Sequence, residues 1–443
     1  MHRLVSLLSF LVVIVAASIP ARAIDIKEVK TPLGITAWLV EDHTNPLIAM
    51  RFSFKGGSAN DPPGKEGTST FIASMLDEGA GDLDSSAFQR KRDDLAMRMS
   101  FRADMDHVEG SFQTLSERRE GSFGLLKLAL TKPRFDAVPL ERVRSQLLVG
   151  ASENREDPER ISSNAWMTAA IGNHPYARES DGTPDSLNII TADDLHVLHQ
   201  QLFTRKGLNI AVVGDIDAAT LVRVLDDTFG ALPETDPPPA PPMTRPADKP
   251  GIEIIDRDIP QSIITFGHEG ILRNDPDFIP AYVASFILGG GGFGSRLTDE
   301  VREKRGLTYG VETGLYPLDR AGFVLGSLST RNNHAAEALD VVKDVTQRYA
   351  DQGPTAEELA DAKTYLTGSY ALRFDSNTSI AAQLVGIQED DLGIDYVNRR
   401  NSLIEAVTLD QVKAQAKRIT HPDKLIITIV GRPAGIKATP KQG

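Results

Sequence analysis

Gly289-Gly290-Gly291-Gly292-Phe293-Gly294-Ser295-Arg296-Leu297-Thr298-Asp299-Glu300-Val301-Arg302-Glu303-Lys304-Arg305-Gly306-Leu307-Thr308-Tyr309 runs from flexible backbone through a short helix towards a strand. The glycines leave an opening that no side chain obstructs. Ser295 is placed to cap a helix. Leu297 and Val301, four apart, give that helix one apolar face. Gly306 suits the position just past its C-terminus, and Lys304 and Arg305 suit the negative end of its dipole. Leu307, Tyr309, Val311 and Thr313 then alternate as a strand would. Arg302 and Tyr309 therefore flank a tight helix-to-strand turn.

Upstream, Gly34–Val40 and Leu47–Phe54 read as strands around a polar turn, and Gly56-Gly57 ends the ladder. A helix is expected from about Gly67, with Phe71, Met75 and Leu76 on one side. Residues 85–99 and 117–130 have helical spacing, with two strands between Met99 and Leu115. Pro139–Arg155 and Ala192–Leu202 are further helices, and Leu208–Val213 is a strand. From Leu232 to Pro250 the prolines crowd together, including Pro237-Pro238-Pro239 and Pro241-Pro242. Such a stretch is extended and fairly stiff, and it is where a hinge would lie. It divides the chain at 24–232, 233–250 and 251–435, with a tail at 436–443.

The two parts read as repeats. Ile190–Asp215 and Val407–Arg432 align without a gap: Thr191 and Asp193, or Thr408 and Asp410, at a helix start, then an apolar strand ending in Val213-Gly214 or Val430-Gly431. Ser53–Pro62 and Phe266–Pro276 both lead from a strand to Asn-Asp-Pro. Each part is expected to be α+β, a mainly antiparallel sheet with helices on one face.

The stretch from Gly289 to Tyr309 resembles the C-terminal domain of the pitrilysin/insulinase family of zinc peptidases. The family's order of elements is all present: the glycine run, Ser295-Arg296-Leu297, Val301-Arg302-Glu303-Lys304, Gly306-Leu307 and Tyr309. The resemblance covers nearly all of residues 30–435. It implies two homologous domains arranged as a clamshell around a cavity. It also implies that Arg302 and Tyr309, seven apart, hold the substrate backbone. Read from spacing alone, Arg302 is equally a surface residue near a helix end and Tyr309 a half-buried strand aromatic.

Peptide-cutting members of that family carry H-x-x-E-H in the N-terminal domain, two histidines on zinc and a glutamate that activates water, with a further glutamate ligand downstream. No H-x-x-E-H occurs in this chain. Aligned on its neighbours, Thr70, Ala73 and Ser74 occupy the His, Glu and His positions, and the distal ligand position falls near Gly150. Hydroxyls are poor zinc ligands and Ala73 cannot act as a base. No zinc is expected here. His196 and His199, three apart beside Asp193 and Asp194, have a spacing that could bind metal, but read better as a solvated helix face. His174 and His107 lack convergent partners in sequence. There is no G-x-S-x-G elbow, no cysteine nucleophile and no Walker-type loop.

The chain has 443 residues and a net charge of −13, which disfavours a general nucleic-acid binder. Residues 1–23 have the form of a secretory signal: His2 and Arg3, the apolar run Leu4–Ala17, then Ala21-Arg22-Ala23 as a cleavage site. An uncleaved membrane anchor is the alternative. A secreted chain with no cysteine suits a bacterial periplasm. Together these features imply a non-peptidase homologue: a substrate-binding subunit, inactive alone, of a heterodimeric zinc metallopeptidase. Its H-x-x-E-H-bearing partner would carry the zinc for proteolysis. The competing class is a peptide-binding or scaffold protein without a proteolytic role.

Overall fold

The computed structural model describes residues 24–440, so the signal-sequence reading of residues 1–23 lies outside the described residues. The fold is α+β and built twice. In the first half the strands are β1 Lys27–Lys30, β2 Thr36–Glu41, β3 Leu47–Lys55, β4 Gly79–Ala80, β5 Leu83–Asp84, β6 Arg98–Ala103, β7 His107–Leu115 and β8 Leu208–Gly214. Its helices are α1 Thr68–Met75, α2 Ser85–Asp94, α3 Arg119–Thr131, α4 Ala137–Glu156, α5 Pro158–Ile171, α6 Pro184–Ile189, α7 Ala192–Leu202 and α8 Ala218–Phe229. The second half has strands β9 Gly251–Ile255, β10 Gln261–Glu269, β11 Val311–Leu318, β12 Ala321–Arg331 and β13 Ile426–Val430. Its helices are α9 Phe278–Ser285, α10 Ala335–Gln352, α11 Ala356–Gly368, α12 Asn377–Glu389, α13 Tyr396–Glu405 and α14 Leu409–Arg418.

The first sheet runs β1-β2-β8-β3-β7-β6 and the second β9-β13-β10-β12-β11. Setting β1 aside, the orders correspond strand for strand. In each sheet one pair is parallel, β2 with β8 and β9 with β13, and the other pairs are antiparallel. The repeated capping signals are real. Thr191 accepts from the amide of Asp194, and Thr408 from that of Gln411. The reciprocal bonds come from Asp194 and Gln411, which lie one residue beyond the expected Asp193 and Asp410. Gly214 and Gly431 end the matching strands at φ 136° and 138°, where only glycine is comfortable.

Each sheet buries one face against its own helices. Ile48, Met50, Phe52 and Phe54 alternate along β3 into a core with Phe71, Phe123, Leu198 and Leu221. Ile264 and Phe266 of β10 do the same with Ala281, Leu339 and Val412. The opposite faces are covered by exchange. Helix α12, from the second half, lies on the first sheet, where Ala381, Leu384 and Val385 pack on Trp38, Ala211 and Val213. The side-chain amide of Gln388 bonds both the carbonyl and the amide of Ile210, at 3.0 and 3.3 Å. Helix α5, from the first half, lies on the second sheet, where Trp166 and Met167 pack on Phe323 and Ile426. Trp166 Nε1 donates to the Ile426 carbonyl at 2.9 Å, and Ser162 Oγ donates to Thr265 Oγ1 at 2.9 Å. A Cβ on Gly267 would stand 2.8 Å from the Trp166 ring, so this strand must be bare there.

Two boundaries differ from expectation. The helix read over 85–99 stops at Asp94, because Ala96 turns left-handed at φ 49° and the chain enters β6. The strand read from Leu307 starts at Val311. The proline-rich stretch carries no helix or strand and is strapped down. Pro239 accepts from Asn60, Pro242 meets His174, Ala247 donates to Ala170 and Thr244 donates to Arg320.

One buried acid sits in the exchange. Glu389, at the end of α12, is beside Ser53 and His107, and its Oε1 has no hydrogen-bond partner. Burial pushes its carboxyl up to about 7, although His107 opposes the shift. A raised carboxyl favours the fold most when protonated, so this contribution is lost as pH rises through about 7. Thermal midpoints should fall between pH 5.5 and 8, and Glu389→Gln should flatten part of that slope; an unchanged slope would assign it elsewhere. The only two tryptophans, Trp38 and Trp166, report the two exchange surfaces. Denaturation of Trp38→Phe and Trp166→Phe chains should give single transitions on both remaining fluorophores. Trp166→Ala should cost about 3–5 kcal/mol.

Candidate functional site

The glycine run folds as two tight segments, a π-helical turn over Phe286–Gly290 and a 3-10 turn over Gly292–Gly294. Gly289 has to be glycine: a Cβ there would fall 2.5 Å from Thr313 Cγ2, so the run lies directly on β11. Gly292 is left-handed at φ 56°. Ser295 is buried and starts the next helix as expected, with its Oγ receiving the Thr298 amide at 3.4 Å and meeting Thr298 Oγ1 at 3.0 Å. That helix opens into a second π-helical turn, Thr298–Glu303. Such widened turns change which side chains share a face. Gly306, left-handed at φ 62°, closes it: its amide and that of Leu307 reach back to the carbonyls of Arg302 and Val301.

The charges around this helix are sorted by partner. Arg296 makes a bidentate pair with Glu358 at 2.5 and 2.7 Å, bonds the Gly353 carbonyl, and lies over the Tyr349 ring at 4.9 Å. It clamps the segment to α10 and α11. Lys304 and Arg305 fold back on Glu300 at 2.7 and 2.6 Å, and hold its carboxyl down at about 2. Arg302, whose Nε lies 3.5 Å from Glu303 Oε1, lines a cavity of about 870 Å³ between α5 and the second sheet, with Glu159, Thr298, Glu312 and Ser327 also in its walls. Thr308 Oγ1 donates to the carbonyls of Gly310 and Ser329, and Thr330 Oγ1 to that of Leu307. This pins the turn to β12 and presents Tyr309 outward, 79% exposed, beside Gly310 at the cavity wall. Tyr309 is therefore not the half-buried strand aromatic of the alternative reading.

The positions that the resemblance gives to a metal are otherwise occupied. Thr70 Oγ1 donates to the Ser180 carbonyl at 3.0 Å and Ser74 Oγ to the Thr70 carbonyl at 2.9 Å. Ala73 is buried on α1, which packs on α4, the helix that carries Gly150. Two hydroxyls, a methyl and a glycine offer no donor set for zinc, so these residues do not fit the ion. Asp61 fixes the start of α1, accepting from the amides of Gly67 and Ser69 at 2.7 and 2.9 Å.

On α7, His196 and Asp193 are exposed as a solvated face would have them, but His199 departs from that expectation. His199 is buried, stacked on Phe203 at 4.4 Å, with Nε2 3.0 Å from the Leu130 carbonyl, and burial pushes its imidazole down to about 4. His196 packs on Phe135. Asp194 is spent on the helix cap and on Lys65. The helical spacing of apolar Leu195, Leu198 and Leu202 puts His199 at the edge of the buried stripe, a signal present in the sequence. Among the described residues no group of three or more His, Cys, Asp or Glu is placed to hold a metal ion.

Comparison with known proteins gives the family likeness. The family described as peptidase M16 inactive domain matches residues 190–366. A Helicobacter pylori protein called non-peptidase homolog YmxG is 26% identical over 391 residues, spanning 88% of this chain and 90% of its own length. An uncharacterized zinc protease of Mycobacterium leprae is 28% identical over 312 residues, 69% of each chain. The crystal structure of a peptidase M16 inactive domain from Pseudomonas fluorescens is 31% identical and superposes with a TM-score of 0.86, covering 94% of this chain and 100% of that one.

Arg296 and Arg302 should separate by experiment. Arg296→Ala leaves Glu358 part-buried without its partner and should destabilise the chain by about 2–4 kcal/mol. Arg302→Ala, which removes a longer and more exposed pair with Glu303, should cost less than Arg296→Ala, about 1 kcal/mol or below in the same urea titration.

Proposed function

This chain belongs to the M16 peptidases, the pitrilysin/insulinase family, as one of its inactive members, and we propose that it is the substrate-binding subunit of a periplasmic heterodimeric zinc metallopeptidase. The observation that carries the proposal is Arg302 in a cavity wall, with the exposed Tyr309 next to the wall residue Gly310, in a chain whose metal-side positions hold Thr70, Ala73, Ser74 and Gly150. A guanidinium can fork onto a peptide carbonyl and fix its orientation. A tyrosine hydroxyl can donate to the same oxygen as it becomes negative during amide hydrolysis. The glycine run and the bare strand beside it let a peptide backbone approach closely. Zinc and the base that activates water are assigned to an H-x-x-E-H-bearing partner, with which this chain forms the enclosed site. The signal-like residues 1–23 and the absence of cysteine support the periplasmic address.

The test is purification of this chain from its native source together with whatever binds it. A complex with a second chain should contain zinc and hydrolyse peptides. Arg302→Ala and Tyr309→Phe should each lower turnover by about 10²–10³ with zinc content unchanged. Stoichiometric zinc and peptidase activity in the pure single chain would overturn the proposal. A metal-free, inactive chain that captures peptide but no partner would instead favour the binding or scaffold role.

A further inference from the structure

The cavity at Arg302 continues. Gly290, Gly314 and Leu315 in its wall also line a second hollow of about 400 Å³, whose far side is Tyr365 and Arg373. Arg373 in turn lines a third hollow of about 380 Å³, opposite Arg51 of the first half, with Thr378, Ser379 and Gln383 around it. Their shared wall residues string these hollows in a row from Arg302, along β11, to a far end where the two halves meet.

The far end is cationic and uncompensated. Among the described residues Arg373 has no hydrogen bond or ion pair, in a chain where 61 acidic residues face 48 basic ones. Arg51 Nε is buried without a hydrogen-bond partner. The acid nearest to it in effect, Glu109, is already held by Arg102 in a bidentate pair at 3.0 and 2.6 Å. Burial lowers the Arg51 pKa, as it does for a cation without a matched partner. Thr378 and Ser379 lie in the first turn of α12, whose dipole adds positive potential on the same side. The Arg302 end carries Glu159 and Glu312, so the lining changes in charge along the row of hollows.

We propose that the far end is a carboxylate subsite: an acidic group of a bound peptide is received between Arg373 and Arg51 while the peptide backbone is held at Arg302. Two guanidiniums offer forked donors that match a carboxylate's two oxygens. The change in charge gives the peptide a direction, carboxylate towards α12. This rests on the reading of the Arg302 cavity as a peptide site. The carboxylate is that of an Asp or Glu side chain or of the peptide's C-terminus, and the two are separable.

The experiment is fluorescence anisotropy on the purified full chain, which needs no metal, with labelled decapeptides. One set walks a single Glu along an otherwise neutral, C-terminally amidated sequence. A second set has no Glu and a free or amidated C-terminus. The expected result is at least a tenfold preference for Glu at one or two neighbouring positions, or for the free C-terminus, lost in high salt. Arg373→Gln, at an exposed site that leaves the fold intact, should reduce the preference to within twofold and leave the affinity for the neutral peptide unchanged. Arg51→Gln should act in the same direction. Equal binding of acidic and neutral peptides by the parent chain, or a preference that survives in both variants, would overturn the subsite while leaving the peptide-site reading in place. Failure of every peptide to bind would overturn both.

Discussion

Neither sheet has a covered second face until a helix arrives from the other half. The sheets present small residues there, Ala49, Ser53 and Ala211 on one and Thr265 and Gly267 on the other, and these admit a helix at close range. Trp166 alone buries on the order of 150–250 Å², or about 4–6 kcal/mol of apolar burial. Gln388 on Ile210, and Ser162 and Trp166 on β10 and β13, then fix where along each sheet the helix rests. Because α5 and α12 occupy the same place in the order of the two halves, the exchange is reciprocal. The cavity that holds Arg302 is a consequence: one wall is the second sheet and the other is the borrowed α5.

The same close approach governs the glycine run. It lies on β11 only because Gly289 has no Cβ, and it stays there because Arg296 is clamped to Glu358 across α10 and α11. Arg296, Lys304 and Arg305 are each held to an acid at 2.5–2.7 Å, and Arg302, within the widened turn and 3.5 Å from Glu303, also reaches the cavity. The family-like motif is thus two devices in one segment, an anchor at Arg296 and a presented group at Arg302.

The periodic parts of this were legible from the residues. The alternation of Leu47–Phe54, the bounds of α7 at Ala192 and Leu202, and the repeated cap and Val-Gly ending all follow from local chemistry. The Arg302–Tyr309 turn was legible for the same reason, being short and punctuated by Gly306. What the residues hid is long-range. Helical spacing gives α5 and α12 an apolar stripe but does not say which sheet receives it. Arg296 finds Glu358 at a separation of 62 residues. His199 looks solvated until Leu130 and Phe203 close over it.

The exchange also bears on motion. The proline-rich stretch is where a hinge was expected, yet it is bonded to Asn60, Ala170 and Arg320 on both sides of the division. Swinging the halves apart would in addition lift α5 and α12 off the sheets they cover, exposing Trp166 and Trp38 and stranding the paired amides of Gln388 and Ile210. Those losses add to a cost comparable with the whole stability of an ordinary domain, about 5–15 kcal/mol. In the proposed heterodimer, an opening that admits substrate would therefore be cheaper between the chains than within this one. A half-site presented on a rigid body, with Thr70 and Ser74 already committed to backbone carbonyls, suits a subunit that supplies a fixed surface and leaves closure to the contact between chains.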